Sequence, residues 1–196
     1  MAQRRGEAYL VRFVDDFVVS FQYRLDAEEF QRQLRERFAR FNLELAEEKT
    51  RLLLFGRFAA ERRAADGQEP ATFEFLGFKH VCGKDRSGKF ALIRIPSVKS
   101  CRQFLSRTHD WLVGHMHWKR RDQQRHLQSM LRGFYQYFGL HHCQKKLGWV
   151  LHEVQLQWRR TLRRQSQRHQ LYWSYLTSRS WFKLPNPPKR SLHPTV

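Results

Sequence analysis

The segment Tyr9-Leu-Val-Arg-Phe-Val-Asp-Asp-Phe-Val-Val-Ser20 places two adjacent carboxylates, Asp15 and Asp16, between two short apolar runs. The β-branched and aromatic residues on both sides favour a strand, a tight turn and a second strand. Such a hairpin presents both carboxylates at its tip. Carboxylate oxygens suit Mg²⁺, which keeps water ligands and is bound through one or two carboxylates together with substrate phosphates. The alternative is a solvated turn, because Asp is a common turn residue.

A helix is predicted directly after this hairpin. Asp26 is placed to N-cap it, and Glu29 occupies the position that completes a capping box. Apolar residues then recur at helical spacing as far as about Phe41, and we expect Asn42 to end the helix.

Two short strands and a loop are predicted next. Residues 43–45 alternate and residues 51–55 form an apolar run, so both favour strands. Between them lies a polar turn that carries Lys49. Residues 57–71 are charged and contain Gly and Pro, which predicts an exposed loop.

The period of the apolar pattern changes at Pro96. Before it, residues 72–79 alternate strongly and are predicted to pair with residues 89–95 through a turn within residues 83–88. After it, Ser97 is placed to cap the first of a series of amphipathic helices. We expect the fold class to be α+β, with a mixed region followed by an all-helical region and a Pro-rich tail. The expected helices cover residues 98–112, about 122–138, about 144–164 and about 167–179, and the expected domains are 1–96, 97–182 and 183–196.

The net charge of +19 is distributed very unevenly. Residues 1–80 hold 14 Lys and Arg against 14 Asp and Glu, whereas residues 81–196 hold 23 Lys and Arg against 4 acidic residues. This asymmetry indicates a polyanionic partner, either nucleic acid or an anionic membrane. All six Trp lie in the basic part, and Arg interleaved with aromatic residues favours RNA, because both can stack on bases. We therefore expect RNA and no membrane.

The sequence contains no apolar run near the roughly 20 residues of a membrane span. Its first residues lead into no signal-peptide core. The three Cys are an odd number without a Cys-x-x-Cys pair, which favours a reducing, cytoplasmic compartment over a disulfide framework.

Taken in order, these motifs resemble the second half of a reverse transcriptase palm, and more specifically the bacterial group II intron-encoded reverse transcriptase/maturase family. The Tyr-x-Asp-Asp hairpin of the family matches Phe13-Val-Asp-Asp16, with Phe in place of Tyr. The family's Leu-x-Leu strand followed by Lys-Thr matches Leu43-Glu-Leu45 and Lys49-Thr50, and its Phe-x-Phe-Leu-Gly-Phe hairpin matches residues 73–78. Residues 131–138 are similar to the maturase thumb, and Leu184-Pro-Asn-Pro with His193-Pro194 is similar to the C-terminal tail of the family.

The resemblance implies an RNA-directed DNA polymerase and intron splicing factor, with a partial palm before the helical thumb and maturase region. It implies nucleotidyl transfer at a two-metal Mg²⁺ site, with Asp15 as the direct ligand and Asp16 as its support. Lys49 would neutralise or protonate the leaving pyrophosphate, although a solvated turn lysine is an equal alternative. The implied primer grip consists of Phe75, Leu76 and Gly77. The alternative role of this hairpin is core packing by Phe73, Phe75 and Phe78.

The family palm also carries an essential aspartate on an earlier strand, together with fingers that bind template and nucleotide. Only fourteen residues precede Asp15, so we expect a chain truncated at its N-terminus, with an incomplete two-metal site and little polymerisation by the chain alone. The implied partners are the intron RNA, an RNA template with a DNA primer, and a chain that supplies the missing fingers and palm.

RNA binding is expected to rest on the basic residues of the helical region, because phosphate neutralisation dominates non-specific affinity. The residues assigned to it are Lys119, Arg120, Arg121, Arg125, Arg132, Arg159, Arg160, Arg163, Arg164 and Arg168. A zinc site among the clustered histidines is disfavoured, since their spacing does not match zinc-finger patterns. The alternative function is a non-catalytic RNA-binding maturase module, and a third, weaker one is an inert gene remnant.

Overall fold

The fold of this chain combines two small antiparallel sheets with six helices among the described residues. The structure is a computed structural model, and it describes residues 5–65, 67, 69, 71–85, 87–165 and 171–192. Internal contacts divide the chain into two compact units, Met1–Ala71 and Thr72–Val196. The α+β class expected from the sequence is therefore confirmed.

The first unit begins with the predicted carboxylate hairpin. Strand β1, Ala8–Phe13, pairs antiparallel with β2, Asp16–Phe21, and the register sets Phe13 opposite Asp16. Helix α1, Arg24–Ala39, follows and packs its Phe30 ring 5.3 Å from the ring of Phe21. Among the described residues this sheet has two strands, and the side chains of Tyr9, Leu10 and Val11 in β1 remain exposed.

The predicted cap of α1 is wrong. The helix begins at Arg24, before Asp26, and the Asp26 carboxylate instead accepts hydrogen bonds of 3.2 Å from the backbone N–H groups of Arg5 and Gly6. Glu29 completes no capping box, because it is bound to the guanidinium of Arg32 at 2.6 Å. An Asp can bond to any nearby backbone donor, so its presence alone does not locate the first turn.

The two strands predicted at residues 43–45 and 51–55 are absent, and both segments are irregular in the structure. A strand needs a neighbour to accept its hydrogen bonds, and within the described part of the first unit β1 and β2 pair only with each other. The loop predicted after residue 56 is also wrong at its start, where α2 covers Arg57–Ala65. Ala, Arg and Glu are good helix formers, and Arg57 and Glu61 form an ion pair of 3.4 Å one turn apart.

The second unit opens with a three-stranded antiparallel meander. Its strands are β3, Thr72–Phe75, β4, Phe78–Lys84, and β5, Phe90–Pro96, in that order across the sheet. Residues 72–79 are therefore two strands joined by a tight turn and not the single strand that their alternation predicts. The pairing of the second strand with residues 90–96 agrees with the sequence.

Helices form the rest of the second unit. Ser97 caps the first of them as predicted, since its hydroxyl accepts a 3.1 Å hydrogen bond from the backbone N–H of Ser100. Single 3₁₀ turns cover His141–Cys143 and Ser180–Phe182. The helices are α3, Val98–Gly114, α4, Arg120–Phe138, α5, Gln144–Arg164, and α6, Trp173–Ser178.

The apolar core of this unit lies between the helices. Leu112, Leu127, Leu147 and Trp158 are completely buried in it. The sheet packs against the same helices, with the Phe78 ring 4.8 Å from that of Phe138. The division between compact units therefore falls between residues 71 and 72, earlier than the sequence-based division between residues 96 and 97.

None of the helices in the described part of the chain is long and apolar enough to cross a bilayer.

Candidate functional sites

The acidic pair lies at the tip of the β1–β2 hairpin, as predicted. Because Phe13 pairs with Asp16, the turn consists of Val14 and Asp15 alone. All four residues are exposed. Val14 has a φ of +56°, which is unfavourable for a β-branched residue, and its carbonyl accepts a 2.7 Å hydrogen bond from Nε of Arg12.

Two adjacent carboxylates at an exposed tip are a donor set suited to Mg²⁺, which retains water ligands when few protein oxygens are present. Asp15 and Asp16 are the residues of this chain that would hold the ion. In the described part of the chain, no cluster of three or more His, Cys, Asp or Glu side chains is arranged around a metal position. Among the described residues, the hairpin therefore supplies two adjacent carboxylates and no larger set of ligands.

Lys49 lies in an exposed turn of the first unit. Its backbone N–H donates a 3.0 Å hydrogen bond to the carbonyl of Ala46, which also accepts from the backbone and side chain of Thr50. Within the described residues, no ion pair links Lys49 to Asp15 or Asp16. The structure thus provides an ordered turn for this lysine without bringing its amine into contact with the acidic pair.

The residues assigned to a primer grip, Phe75, Leu76 and Gly77, form the end of β3 and the β3–β4 turn. Both turn residues have positive φ, +49° for Leu76 and +75° for Gly77, as the hairpin turn that matches strand twist requires.

Hydrogen bonds connect this turn to α3 and to α4. The carbonyl of Gly77 accepts hydrogen bonds from the Ser97 backbone at 2.8 Å and from the Ser100 hydroxyl at 3.0 Å. The Tyr137 hydroxyl donates to the carbonyl of Leu76 at 3.0 Å. The turn is therefore rigidly placed beside the first turn of α3 and the last turns of α4.

Most of the predicted RNA-binding residues are exposed on α4 and α5. Arg121, Arg125 and Arg132 lie on one stripe of α4, opposite the buried Leu127 and Leu131. On α5, the exposed side chains at 160, 163 and 164 likewise lie away from the buried core face. The whole unit, residues 72–196, carries 24 Lys and Arg against 5 Asp and Glu.

Some of these basic residues also have structural partners. Arg159 donates a 3.0 Å hydrogen bond from Nε to the carbonyl of Leu171, and Arg120 lies over the Trp181 ring at 4.8 Å. Arg125 forms an ion pair of 2.8 Å with Asp122. Lys119 is exposed just before α4, and Arg168 lies outside the described residues.

A stacked aromatic cluster at the end of α3 was not anticipated from the sequence. The Trp111 ring stacks on His126 at 3.9 Å and on His115 at 4.6 Å, and Trp118 meets both Trp111 and His115 edge-on. Burial, and then the neighbouring His115, lower the pKa of His126. The Trp111–His115 spacing of four residues is a local signal for this contact, whereas the His126 contact depends on helix packing.

Searches against models of protein families, curated proteins and solved structures found no match for this chain.

Proposed function

We propose that this chain is part of a group II intron-encoded reverse transcriptase/maturase and that its helical unit binds the intron RNA. The observation that carries the proposal is the set of exposed arginines on the outward faces of α4 and α5. They belong to a unit with 24 basic and 5 acidic residues, which is a strong attraction for a polyanion.

The order of the motifs supports the family assignment. An acidic pair at a hairpin tip precedes a helix, a lysine-bearing turn and a tight Leu76-Gly77 hairpin, followed by basic helices. In this reading the first unit and the β3–β5 meander correspond to the palm, and α3 to α6 correspond to the thumb and maturase region. The carbonyls of Leu76 and Gly77 are already bound by Tyr137 and Ser100, which would hold a primer grip in a fixed position relative to the thumb.

Asp15 and Asp16 would hold Mg²⁺ at the hairpin tip. A bound divalent ion would supply charge neutralisation for phosphate oxygens. Both carboxylates are exposed, so substrate phosphates can approach them without rearrangement of the hairpin.

Salt dependence tests the RNA-binding part of the proposal. We expect the affinity for a fluorescein-labelled RNA stem-loop, measured by anisotropy, to fall steeply as KCl is raised, because bound counterions are released from the phosphates. Replacing Arg121, Arg125 and Arg132 together with Gln should reduce the slope of log K against log salt by about 2.

The matched control removes the same charge from the first unit by replacing Arg24, Arg37 and Arg40 with Gln. All three are exposed on or next to α1. We expect this variant to bind the stem-loop nearly as the unaltered chain does. Equal losses in the two triple variants, or an affinity independent of salt, would contradict the proposal.

A second candidate function is a non-catalytic RNA-binding module. It is favoured by the hairpin itself, where the described residues supply two carboxylates and no larger cluster of metal ligands. The double variant Asp15→Asn with Asp16→Asn separates the two functions. Primer extension that depends on Mg²⁺ and is lost in the double variant supports the polymerase, whereas intron RNA binding that is unchanged in the double variant supports an RNA-binding role independent of the acidic pair.

A further inference from the structure

Helices α3 and α4 leave an open groove of about 460 Å³ between them. One wall is formed by a single face of α3 that carries Gln103, Phe104 and Arg107, and the other by residues 130–138 of α4. Ser100 and Tyr137, which hold the Leu76-Gly77 turn, lie at the edge of the same groove. The groove therefore begins where the hairpin turn meets the helices.

Gly133 stands in the middle of α4 on the wall of this groove. A glycine inside a helix destabilises it relative to alanine, so its presence calls for a local reason. Here the backbone has no positive φ, and beyond the adjacent residues and the backbone of α4 itself no described atom lies within 4 Å of the position that a Cβ would occupy. Neither backbone geometry nor packing within the described chain requires this glycine. What it does provide is bare helix backbone facing the groove.

The chemistry of the lining is aromatic at the floor and polar at the rim. The Phe104 and Phe134 rings lie 4.4 Å apart at the floor and are almost fully buried, so the accessible aromatic ring of the lining is Tyr137, which is half exposed. At the rim, the side chains of Gln103 and Arg107 are exposed and make no hydrogen bond or ion pair with any described residue. An aromatic surface, an amide and a guanidinium are the groups that proteins use for an unpaired base and its phosphate.

We propose that this groove binds one unpaired nucleobase of a bound RNA, with the base against the Gly133 backbone and Arg107 at the neighbouring phosphate. The inference rests on the proposed RNA binding and adds a preference for a single-stranded segment. A volume of about 460 Å³ suits a ligand of this size, and the positive charge of the surrounding unit complements a phosphate. The Gln103 amide can both donate to and accept from the edge of a base.

The test compares a single-stranded RNA containing one 2-aminopurine with the same strand in a fully paired duplex. We expect the full-length chain to prefer the single strand and to quench 2-aminopurine fluorescence through stacking. Gly133→Leu fills the groove and should weaken single-strand binding by about tenfold, the scale of losing one stacked base, while duplex binding changes little. The matched control is Gly148→Leu, because Gly148 is also a helical glycine with open space around it.

A second pair of variants guards against misfolding of the glycine variants. Arg107→Gln should weaken single-strand binding, whereas Arg102→Gln, an exposed position elsewhere on α3, should not do so to the same extent. If Gly133→Leu matches Gly148→Leu and Arg107→Gln matches Arg102→Gln on both RNAs, the groove proposal is wrong and RNA binding stands. If the unaltered chain binds neither RNA, the proposed RNA-binding function and the groove proposal both fail.

Discussion

Trp158 donates a hydrogen bond of 2.8 Å from its indole Nε1 to Oε1 of Gln123, and both side chains are completely buried. The amide nitrogen of the same Gln123 donates to the carbonyls of His115 and Met116 at 2.9 Å and 3.0 Å. The glutamine thus joins α4 to α5 and to the residues that follow α3. Every polar group in this link has a partner, which is the condition under which a buried amide is not destabilising.

Removal of the Gln123 amide should therefore destabilise the folded chain. We expect Gln123→Ala to lower the free energy of unfolding by about 2–4 kcal/mol, because it leaves the Trp158 N–H without an acceptor and opens a cavity. Urea denaturation followed by tryptophan fluorescence measures the change. Gln124→Ala is the control on the same helix, since its amide bonds to exposed carbonyls of Ser180 and Lys183, and it should cost about 1 kcal/mol or less. Similar losses in the two variants would contradict the role given to Gln123.

Replacing Gly77 with alanine should lower the stability of the fold more than replacing Gly88 does. Gly77 has a φ of +75°, and a Cβ there would lie 2.9 Å from the Ser100 hydroxyl. Gly88 has a similar φ of +79° but open space around it. Gly88→Ala should cost about 1–2 kcal/mol for the left-handed backbone alone. Gly77→Ala should cost more, because Ser100 must also move and weaken its bond to the Gly77 carbonyl. Equal changes in thermal denaturation would show that the contact with Ser100 is unimportant.

Backbone strain at the carboxylate hairpin predicts a stabilising substitution. Val14 is β-branched and has a φ of +56° in a two-residue turn. Val14→Gly should remove a conformational cost of about 1 kcal/mol and raise the stability of the first unit. Hydrogen exchange of the β1–β2 amides measures this locally. Val18→Gly, a position within β2, is the control and should have the opposite effect.

The buried thiol of Cys143 leads us to expect that the folded chain loses stability at alkaline pH. Burial raises the pKa of its thiol from 9.0 to about 11, and the thiol donates a 3.2 Å hydrogen bond to the carbonyl of Arg94. The folded chain therefore holds the thiol proton more tightly than the unfolded chain does. The resulting stabilisation is fully present below pH 9 and is lost as the pH rises through about 11.

In Cys143→Ala, the decline of unfolding free energy between pH 9 and about 11 should be shallower than in the unaltered chain. It should not vanish, because burial also raises the pKa of Tyr135. Urea denaturation at a series of pH values gives both slopes. An unchanged slope would mean that the thiol does not titrate with unfolding.

Local patterns were sufficient wherever the structure depends on neighbours in sequence. The apolar spacing of α5 gave its bounds, residues 144–164, because an amphipathic helix forms its own hydrogen bonds and needs only one apolar face. The cap at Ser97 followed in the same way, since its hydroxyl reaches a backbone N–H three residues ahead. The Val14-Asp15 turn of the first hairpin likewise lies where the flanking apolar runs predict it.

Patterns failed where a residue depends on a distant partner. Residues 43–45 and 51–55 have strand-like sequences, but no described strand of the first unit pairs with them. Gln123 has no sequence signal for burial, because its environment is created by Trp158, 35 positions away. The groove beside Gly133 could not be predicted from the sequence either, because it forms only where α3 packs beside α4.

The last described segment is bound through its main chain. The carbonyl oxygens of Lys183, Pro185 and Pro188 accept hydrogen bonds from Gln124, Tyr135 and Gln144, and the side chains of Asn186 and Lys189 are exposed. The prolines lack N–H groups and can only accept, whereas the backbone N–H of Leu192 donates a 2.8 Å hydrogen bond to the carbonyl of Gly139. The extended path of the segment is held by these main-chain hydrogen bonds and by Leu184, which packs against the core. We expect homologous chains to keep that path while the identities of the exposed residues drift over evolutionary time.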